Sequence, residues 1–169
     1  MKPAFQRVAL VGKKTPEIAQ SLRALRDFLR QRGCEVMLER ETAAGVGANG
    51  TLAGFDEIGR DADLAIVMGG DGTMLAAARN LAHHKVPLAG INLGRLGFMT
   101  DIALHDMSQS VGAILEGRHT IEERALIDAE ILRGADSVLR TVALNEAVVT
   151  KGSQARLIDA SSPSSLTAR

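Results

Sequence analysis

Two groups of residues in this chain have the types and spacing of ligand-binding loops, and the first of them has those of a phosphate site. The first is Gly69-Gly-Asp-Gly-Thr73, which lies between an apolar run, Leu64–Met68, and the alanine- and leucine-rich segment Met74–Ala82. The apolar run is typical of a strand buried on both faces, and the segment after the glycines predicts a helix. A glycine-rich turn between a strand and a helix presents backbone N–H groups at the positive end of the helix dipole. The turn formed by Gly69, Gly70, Asp71, Gly72 and Thr73 is therefore predicted to bind phosphate.

Asp71 is the unexpected residue in this turn, because a carboxylate repels a phosphate ligand. A functional role would explain why a carboxylate is present despite this repulsion. The carboxylate could accept a proton from a hydroxyl nucleophile, hold a divalent cation or bind a ribose. The alternative is that Asp71 caps the helix, since aspartate is a preferred N-cap residue. A cap does not require three neighbouring glycines, and the functional interpretation is therefore favoured.

The second group is Asn92-Leu-Gly-Arg-Leu-Gly-Phe98, directly after the predicted strand Val86–Ile91. Ligands of open parallel sheets collect outside the carboxyl ends of the strands, so this loop is a second candidate ligand loop. Asn92 and Arg95 are its candidate binding residues. Arg95 could contact phosphate or pair with an acid, and the motif alone does not decide between the two.

Asn145 and Glu146 interrupt the otherwise apolar, strand-like run Val138–Val149. Buried polar side chains cost free energy unless they are hydrogen-bonded, which favours a position in a site. A turn at this point is the alternative.

The hydrophobic pattern predicts an α/β fold, a doubly wound, Rossmann-like domain over residues 1–118. A partial antiparallel β module is expected at 119–158, where apolar residues alternate with polar ones, and the serine-rich segment 159–169 is predicted to be disordered. The glycine-containing segment Glu39–Arg60 is predicted to be a long mobile loop. The other predicted elements are the strand Arg7–Gly12, a helix from Thr15 to Gly33, the strand Cys34–Leu38, a helix from Asp106 to Gly117 and a strand at Ala155–Ile158.

Composition excludes several classes of protein. The 169 residues carry 20 basic and 20 acidic side chains and only four aromatic ones, all Phe, which argues against a nucleic-acid footprint or base-stacking surface. The single cysteine, Cys34, fits a reducing compartment. Lys13 and Lys14 interrupt the first apolar run before it could form a signal-peptide core, and no run is long enough to cross a membrane. A cytoplasmic location without membrane attachment is expected.

Taken together, Gly69–Thr73, Asn92–Phe98 and Leu144-Asn-Glu146, in this order and at these separations, resemble the NAD kinase family. The first motif alone is shared with diacylglycerol-type lipid kinases and phosphofructokinases. The resemblance covers most of the chain, from about Arg7 to Ile158. It implies phosphoryl transfer from ATP, in some members also from polyphosphate, to the 2′-hydroxyl of the adenosine ribose of NAD, with a divalent metal ion, usually magnesium, on the donor phosphates.

The resemblance also implies roles for individual residues. Asp71 would be the proton acceptor, Asp71 and Gly72 would bind the nucleotide, and Asn145, Glu146 and Arg156 would contact NAD. Members of the family are homo-oligomers and continue through a longer C-terminal β domain, and this sequence departs from that pattern after Ile158. Two alternatives to an NAD kinase follow: a truncated, inactive chain that at most binds nucleotide, and a related kinase with another hydroxyl acceptor.

Overall fold

The computed structural model describes residues 2–48, 50–94, 97, 99–144 and 165–168. The chain divides into two compact units, Met1–Ile121 and Glu122–Arg169. Within the described residues, no helix combines the length and the apolar character needed to cross a membrane.

The first unit is built on a six-stranded parallel sheet with the strand order β3-β2-β1-β4-β5-β6. The predicted doubly wound α/β fold is therefore confirmed. Its elements are β1 (Arg7–Gly12), α1 (Ala19–Gln31), β2 (Glu35–Glu39), α2 (Arg40–Val46), β3 (Thr51–Ala53), α3 (Phe55–Asp61), β4 (Leu64–Met68), α4 (Asp71–Leu81), β5 (Leu88–Asn92), β6 (Ile102–Ala103) and α5 (Met107–Leu115), with short 3-10 helices at Pro16–Ile18 and Leu104–Asp106.

The strand order reverses between β1 and β4. From β1 the chain builds β2 and β3 toward one edge of the sheet, and from β4 it builds β5 and β6 toward the other. The carboxyl ends of the two central strands lie side by side, because Gly12 is the register partner of Met68. In open α/β sheets this reversal creates the crevice in which ligands bind.

Each face of the sheet packs against its own hydrophobic cluster. One cluster joins even-numbered residues of β1, such as Val8 and Leu10, to α1, α2 and α5. The other joins Ala9 and Val11 to α3 and α4. All five residues of β4 are buried, as its unbroken apolar run predicts, and a buried side chain of this size contributes about 1.5–3 kcal/mol. The two central strands therefore lie in the interior of the unit, covered on both faces.

The prediction of a mobile loop at Glu39–Arg60 is wrong, because α2, β3 and α3 occupy this segment. Local capping stabilises these short elements. The Glu39 carboxylate accepts hydrogen bonds from the N–H groups of Glu41 and Thr42 at the start of α2, at 2.8 and 2.7 Å. The N–H of Gly54 donates to Glu57 Oε2 at 2.6 Å at the start of α3. These short helices are stabilised by hydrogen bonds at their first turns, and they lack the long hydrophobic repeat by which helices are recognised in a sequence.

In the second unit, β7 (Ile127–Arg133) and β8 (Asp136–Ala143) pair antiparallel, as the alternating pattern predicts, and Gly134 turns between them with a φ of 67°. β9 (Ser165–Ala168) pairs in parallel with the other edge of β7. The expectation of a disordered segment at 159–169 is therefore corrected for these four residues, since the free edge of β7 supplies backbone partners that composition does not reveal. Residues 159–164 and 169, and the predicted strand at 155–158, lie outside the described residues.

Candidate functional site

The glycine turn predicted from the sequence connects β4 to α4 at the carboxyl edge of the sheet. The N–H of Gly69 donates to the carbonyl of Ile91 at 2.9 Å, which fixes the turn to β5. A Cβ added at Gly70 or Gly72 would meet no atom of the described residues within 4 Å, so among these residues the space over the turn is open at both positions. At Gly69, in contrast, a Cβ would lie 2.5 Å from Thr73 Oγ1. Glycine is thus required at 69 by packing, whereas at 70 and 72 it leaves room for a ligand.

Asp71 is the first residue of α4 and does not cap it, since the N-cap residue is Gly70. The alternative interpretation as a helix cap is therefore wrong. The Asp71 side chain instead accepts a hydrogen bond through Oδ1 from the backbone N–H of Met99, at 3.0 Å. It is half-buried and lies at the positive end of the α4 dipole.

The two sequence motifs meet at this carboxylate. A Cβ added at Gly97 would overlap the Asp71 carboxylate, with only 2.7 Å to its Cγ. Gly97 therefore lets the backbone of the second motif lie directly against Asp71. Sequence reasoning identified the glycines of that motif but not this contact, which joins residues 26 positions apart.

Asn92 shapes the loop that brings Gly97 and Met99 to Asp71. It is only 5% exposed, and its Oδ1 accepts a hydrogen bond from the N–H of Gly94 at 2.8 Å. Its Nδ2 donates to Oγ1 of the fully buried Thr100 at 2.9 Å. Asn92 thus lies in the loop that contacts Asp71, and its described contacts are with the loop itself.

The structure brings together six of the predicted site residues, which are Gly69, Gly70, Asp71, Gly72, Thr73 and Asn92. The other four, Arg95, Asn145, Glu146 and Arg156, lie outside the described residues. Sequence reasoning did not predict that the end of β1 lies beside the glycine turn. β1 ends at Gly12, the register partner of Met68, and the N–H of Lys13 donates to the Met68 carbonyl at 3.0 Å. The glycine and two lysines after the first apolar run were the available signal.

A model of the ATP-NAD kinase N-terminal domain matches residues 8–119, about two thirds of the sequence. The chain belongs to the NAD kinase family. It is 49% identical over 162 residues to the NAD kinase of Aromatoleum aromaticum, covering 94% of this chain and 54% of that protein. It is also 49% identical to the NAD kinase of an Azoarcus species, covering 94% and 55%. The chain thus spans about half the length of the curated relatives it matches.

Yeast NADH kinase, whose crystal structure was determined in complex with NADH, has a similar fold. The TM-score is 0.71 at 19% sequence identity, and the match covers 86% of this chain and 48% of the yeast chain. At this identity the similarity establishes the fold, which is the doubly wound architecture expected of a family member.

Proposed function

We propose that this chain carries the catalytic domain of an NAD kinase, which transfers a phosphoryl group from ATP to the 2′-hydroxyl of the adenosine ribose of NAD and gives NADP. The proposal rests on one observation above the others. Asp71 lies at the start of α4, beside open glycine positions, and is held by the N–H of Met99. Membership of the NAD kinase family supports the choice of acceptor.

In the proposed reaction, Asp71 accepts the proton of the 2′-hydroxyl. The 2′-oxygen forms a bond to the γ-phosphorus of ATP, the bond from that phosphorus to the bridging oxygen of the β-phosphate breaks, and ADP leaves. Phosphoryl transfer depends mainly on positioning and on neutralising charge. The Met99 and Gly97 contacts keep the carboxylate in one place, which is the positioning that a base requires.

The donor phosphates are proposed to lie over the glycine turn, where the N–H groups of Asp71 and Gly72, the first two of α4, have no helical carbonyl to bond. NAD is proposed to contact Asp71 and Gly72, and also Asn145, Glu146 and Arg156, which are assigned by family resemblance. Asn92 shapes the second loop, and Arg95 is proposed as a further nucleotide contact from that loop.

A divalent metal ion, with magnesium as the expected one, would neutralise charge on the donor phosphates. The described residues contain no group of three or more His, Cys, Asp or Glu side chains placed to hold a metal. This fits magnesium, which commonly takes one or two protein carboxylates and completes its shell with phosphate oxygens and water.

The test is NADP formation by the 169-residue chain with NAD, ATP and magnesium, beside Asp71→Asn. Asparagine keeps the shape and the acceptor for the Met99 N–H but is not a base, so turnover should fall by at least about 100-fold at an unchanged melting temperature. Asp27→Asn, on the exposed surface of α1, is the control and should keep full activity. Equal activity in the Asp71→Asn protein would overturn the assignment of the base.

A second candidate function is nucleotide binding without turnover, and the observation that favours it is the room beside Gly70 and Gly72, which a bound nucleotide could occupy without reacting. Thermal denaturation separates the two, because a ligand that binds the folded chain raises its melting temperature. A shift with ATP or NAD, together with no NADP formation, would favour this candidate. Substituting other hydroxyl compounds for NAD in the same assay tests for a different acceptor.

A further inference from the structure

The residue after β1 lies beside the glycine turn at the point where the strand order reverses. Gly12 pairs in register with Met68, and the N–H of Lys13 donates to the Met68 carbonyl at 3.0 Å. The residue that follows Met68 is Gly69, the first of the turn. The backbone of Lys13 and the start of the turn therefore lie at the spacing of neighbouring strands, about 5 Å.

Two lysines follow β1, whose residues alternate between the two faces of the sheet. Even-numbered residues of β1 pack with α1, α2 and α5, and odd-numbered residues pack with α3 and α4. Lys14 obeys this pattern, since its ammonium pairs with Glu41 of α2. The hydrogen bond from the Lys13 N–H to the Met68 carbonyl is the last bond of the β1–β4 ladder. As the next odd-numbered residue after Ala9 and Val11, Lys13 is assigned to the α4 face, where the glycine turn begins.

The backbone next to Lys13 is held by buried hydrogen bonds that involve Thr42 and Glu39. The hydroxyl of Thr42 accepts a hydrogen bond from the N–H of Gly12 at 2.9 Å and donates to Glu39 Oε2 at 2.6 Å. Thr42 is fully buried and Glu39 is only 4% exposed. On the far side, a Cβ added at Gly45 would lie 2.9 Å from the backbone of Lys14, so α2 packs closely on this segment. Lys13 thus extends from a fixed position.

Charge at this edge of the sheet also singles out Lys13. The glycine turn contains a carboxylate and no basic side chain, whereas a triphosphate donor carries several negative charges. Of the neighbouring cations, Lys14 pairs with Glu41, and Arg40 pairs with Glu57 at 2.7 Å. In the part of the chain that the structure describes, no ion pair involves the exposed Lys13. Its ammonium is available to a ligand.

We propose that Lys13 binds a phosphate of the donor polyphosphate chain held over the glycine turn. This inference rests on the proposed kinase function and adds a binding residue from β1 to it. The chemical class of the ligand is a linear polyphosphate, either a nucleoside triphosphate or inorganic tripolyphosphate. The pyrophosphate of NAD offers similar chemistry from the acceptor side, so the experiment must compare donor and acceptor.

The experiment measures the affinities of the chain for ATP with magnesium, for tripolyphosphate and for NAD by calorimetry, in Lys13→Met and in the parent chain. Removing one ammonium–phosphate contact should weaken the binding of ATP and tripolyphosphate by about tenfold and reduce its salt dependence, while the affinity for NAD stays the same. Lys13→Arg should retain most of the affinity. Lys14→Met, one residue away and bound to Glu41 in the parent, is the matched control and should bind like the parent.

Unchanged binding of ATP and tripolyphosphate by Lys13→Met would overturn the inference, and so would an equal loss in Lys14→Met or a tenfold loss for NAD. All of these outcomes leave the kinase proposal standing, because the parent chain still binds the donor. If the parent chain binds neither ATP nor tripolyphosphate, the proposed function fails first and the role of Lys13 with it. Because Lys13 is exposed, its replacement should not change the melting temperature, which excludes unfolding as an explanation.

Discussion

Gly97 and Met99 hold the Asp71 carboxylate from one side. The Met99 N–H donates to Oδ1, and the absence of a side chain at Gly97 lets the loop backbone approach the carboxylate closely. A base that must meet a hydroxyl within hydrogen-bond distance gains from such a fixed position, because small displacements of a catalytic group lower the rate steeply. Gly97 is therefore a positioning residue in the proposed mechanism.

Replacing Gly97 with Ala should displace the Asp71 carboxylate, since the new Cβ would overlap it. We expect kcat for NADP formation to fall by about 100-fold. Gly94→Ala is the matched control in the same loop, because a Cβ there meets no atom within 4 Å in the part of the chain that the structure describes, and it should retain activity. Steady-state kinetics with melting temperatures for both variants make the comparison. Similar rates in the two proteins would contradict a positioning role for Gly97.

At the scale of single residues, the sequence predicts a candidate base but does not predict the contacts that hold its side chain. The run Gly69–Thr73 identifies Asp71, because strand, glycine and helix signals are local and add up along the chain. The contacts of Gly97 with Asp71, and of Thr42 with Gly12, join residues far apart in the sequence. Such contacts depend on how the sheet is assembled, which no local pattern records.

Short elements with side-chain caps explain why the segment 39–60 was not recognised. Helices α2 and α3 have seven residues each, too few for a clear amphipathic repeat, and β3 has three. Isolated helices of this length are unstable, so their stability comes from tertiary packing and capping. The longer strands and helices, in contrast, form where the hydrophobic pattern of the sequence predicts them.

The packing of α3 against the residues after α4 provides a test of one such tertiary contact. Gly59 lies inside α3, where Ala is intrinsically better by about 1 kcal/mol. A Cβ at this position, however, would lie 2.6 Å from Nδ1 of His84 and closer still to other atoms of the ring. We expect Gly59→Ala to destabilise the chain by about 1–3 kcal/mol.

The same substitution should become stabilising in a His84→Ala background, since the ring that it displaces is gone. Urea unfolding of the two single variants and the double variant gives the coupling free energy between the two positions. A coupling free energy of zero would show that the packing of α3 against the His84 ring does not cause the destabilisation.

Asp63 fastens the start of β4 to the start of β1. Its Oδ2 accepts hydrogen bonds from the N–H groups of Arg7 and Gln6, both at 2.9 Å. The bond from Arg7 above all lowers the pKa of Asp63 below its ordinary value, against a smaller opposing effect of partial burial. A carboxylate with a lowered pKa in the folded state stabilises the fold above its unfolded pKa of about 3.9.

This contribution should disappear as the pH falls from about 4 through the lower folded pKa of Asp63. Asp63→Asn should therefore unfold at lower urea than the parent at pH 7, and the difference should shrink in acid. Asp61→Asn removes only an exposed ion pair with Arg7, at 3.7 Å, and should show little change at either pH. Urea midpoints at pH 7 and pH 3 provide the measurement, and a gap for Asp63→Asn that widens in acid would contradict the prediction.

At the scale of the whole molecule, the two units differ in how much of their apolar surface is buried. The first contains both hydrophobic clusters, whereas the described part of the second is a three-stranded sheet with exposed apolar residues. Ile131 and Leu139 are register partners across β7 and β8 and are 45% and 50% exposed. A small sheet without a covered apolar face is marginally stable in water, so the first unit should carry most of the cooperativity of unfolding.

The units also divide the proposed functions. The glycine turn, Asp71 and Lys13 belong to the first unit, whereas three proposed NAD contacts, Asn145, Glu146 and Arg156, belong to the second. A chain shortened to residues 1–121 should therefore fold and bind ATP with an affinity close to that of the 169-residue chain. It should bind NAD more weakly and form no NADP.

Calorimetry with ATP and with NAD, beside the kinase assay, tests this division. Asn145→Ala in the 169-residue chain is the matched control, since it should weaken NAD binding without altering the affinity for ATP. If the shortened chain forms NADP at the rate of the longer one, the acceptor site lies within the first 121 residues, and the three residues assigned by resemblance have no part in it. If the shortened chain instead binds ATP more weakly than the 169-residue chain, residues beyond the glycine turn and the end of β1 contribute to binding the donor phosphates.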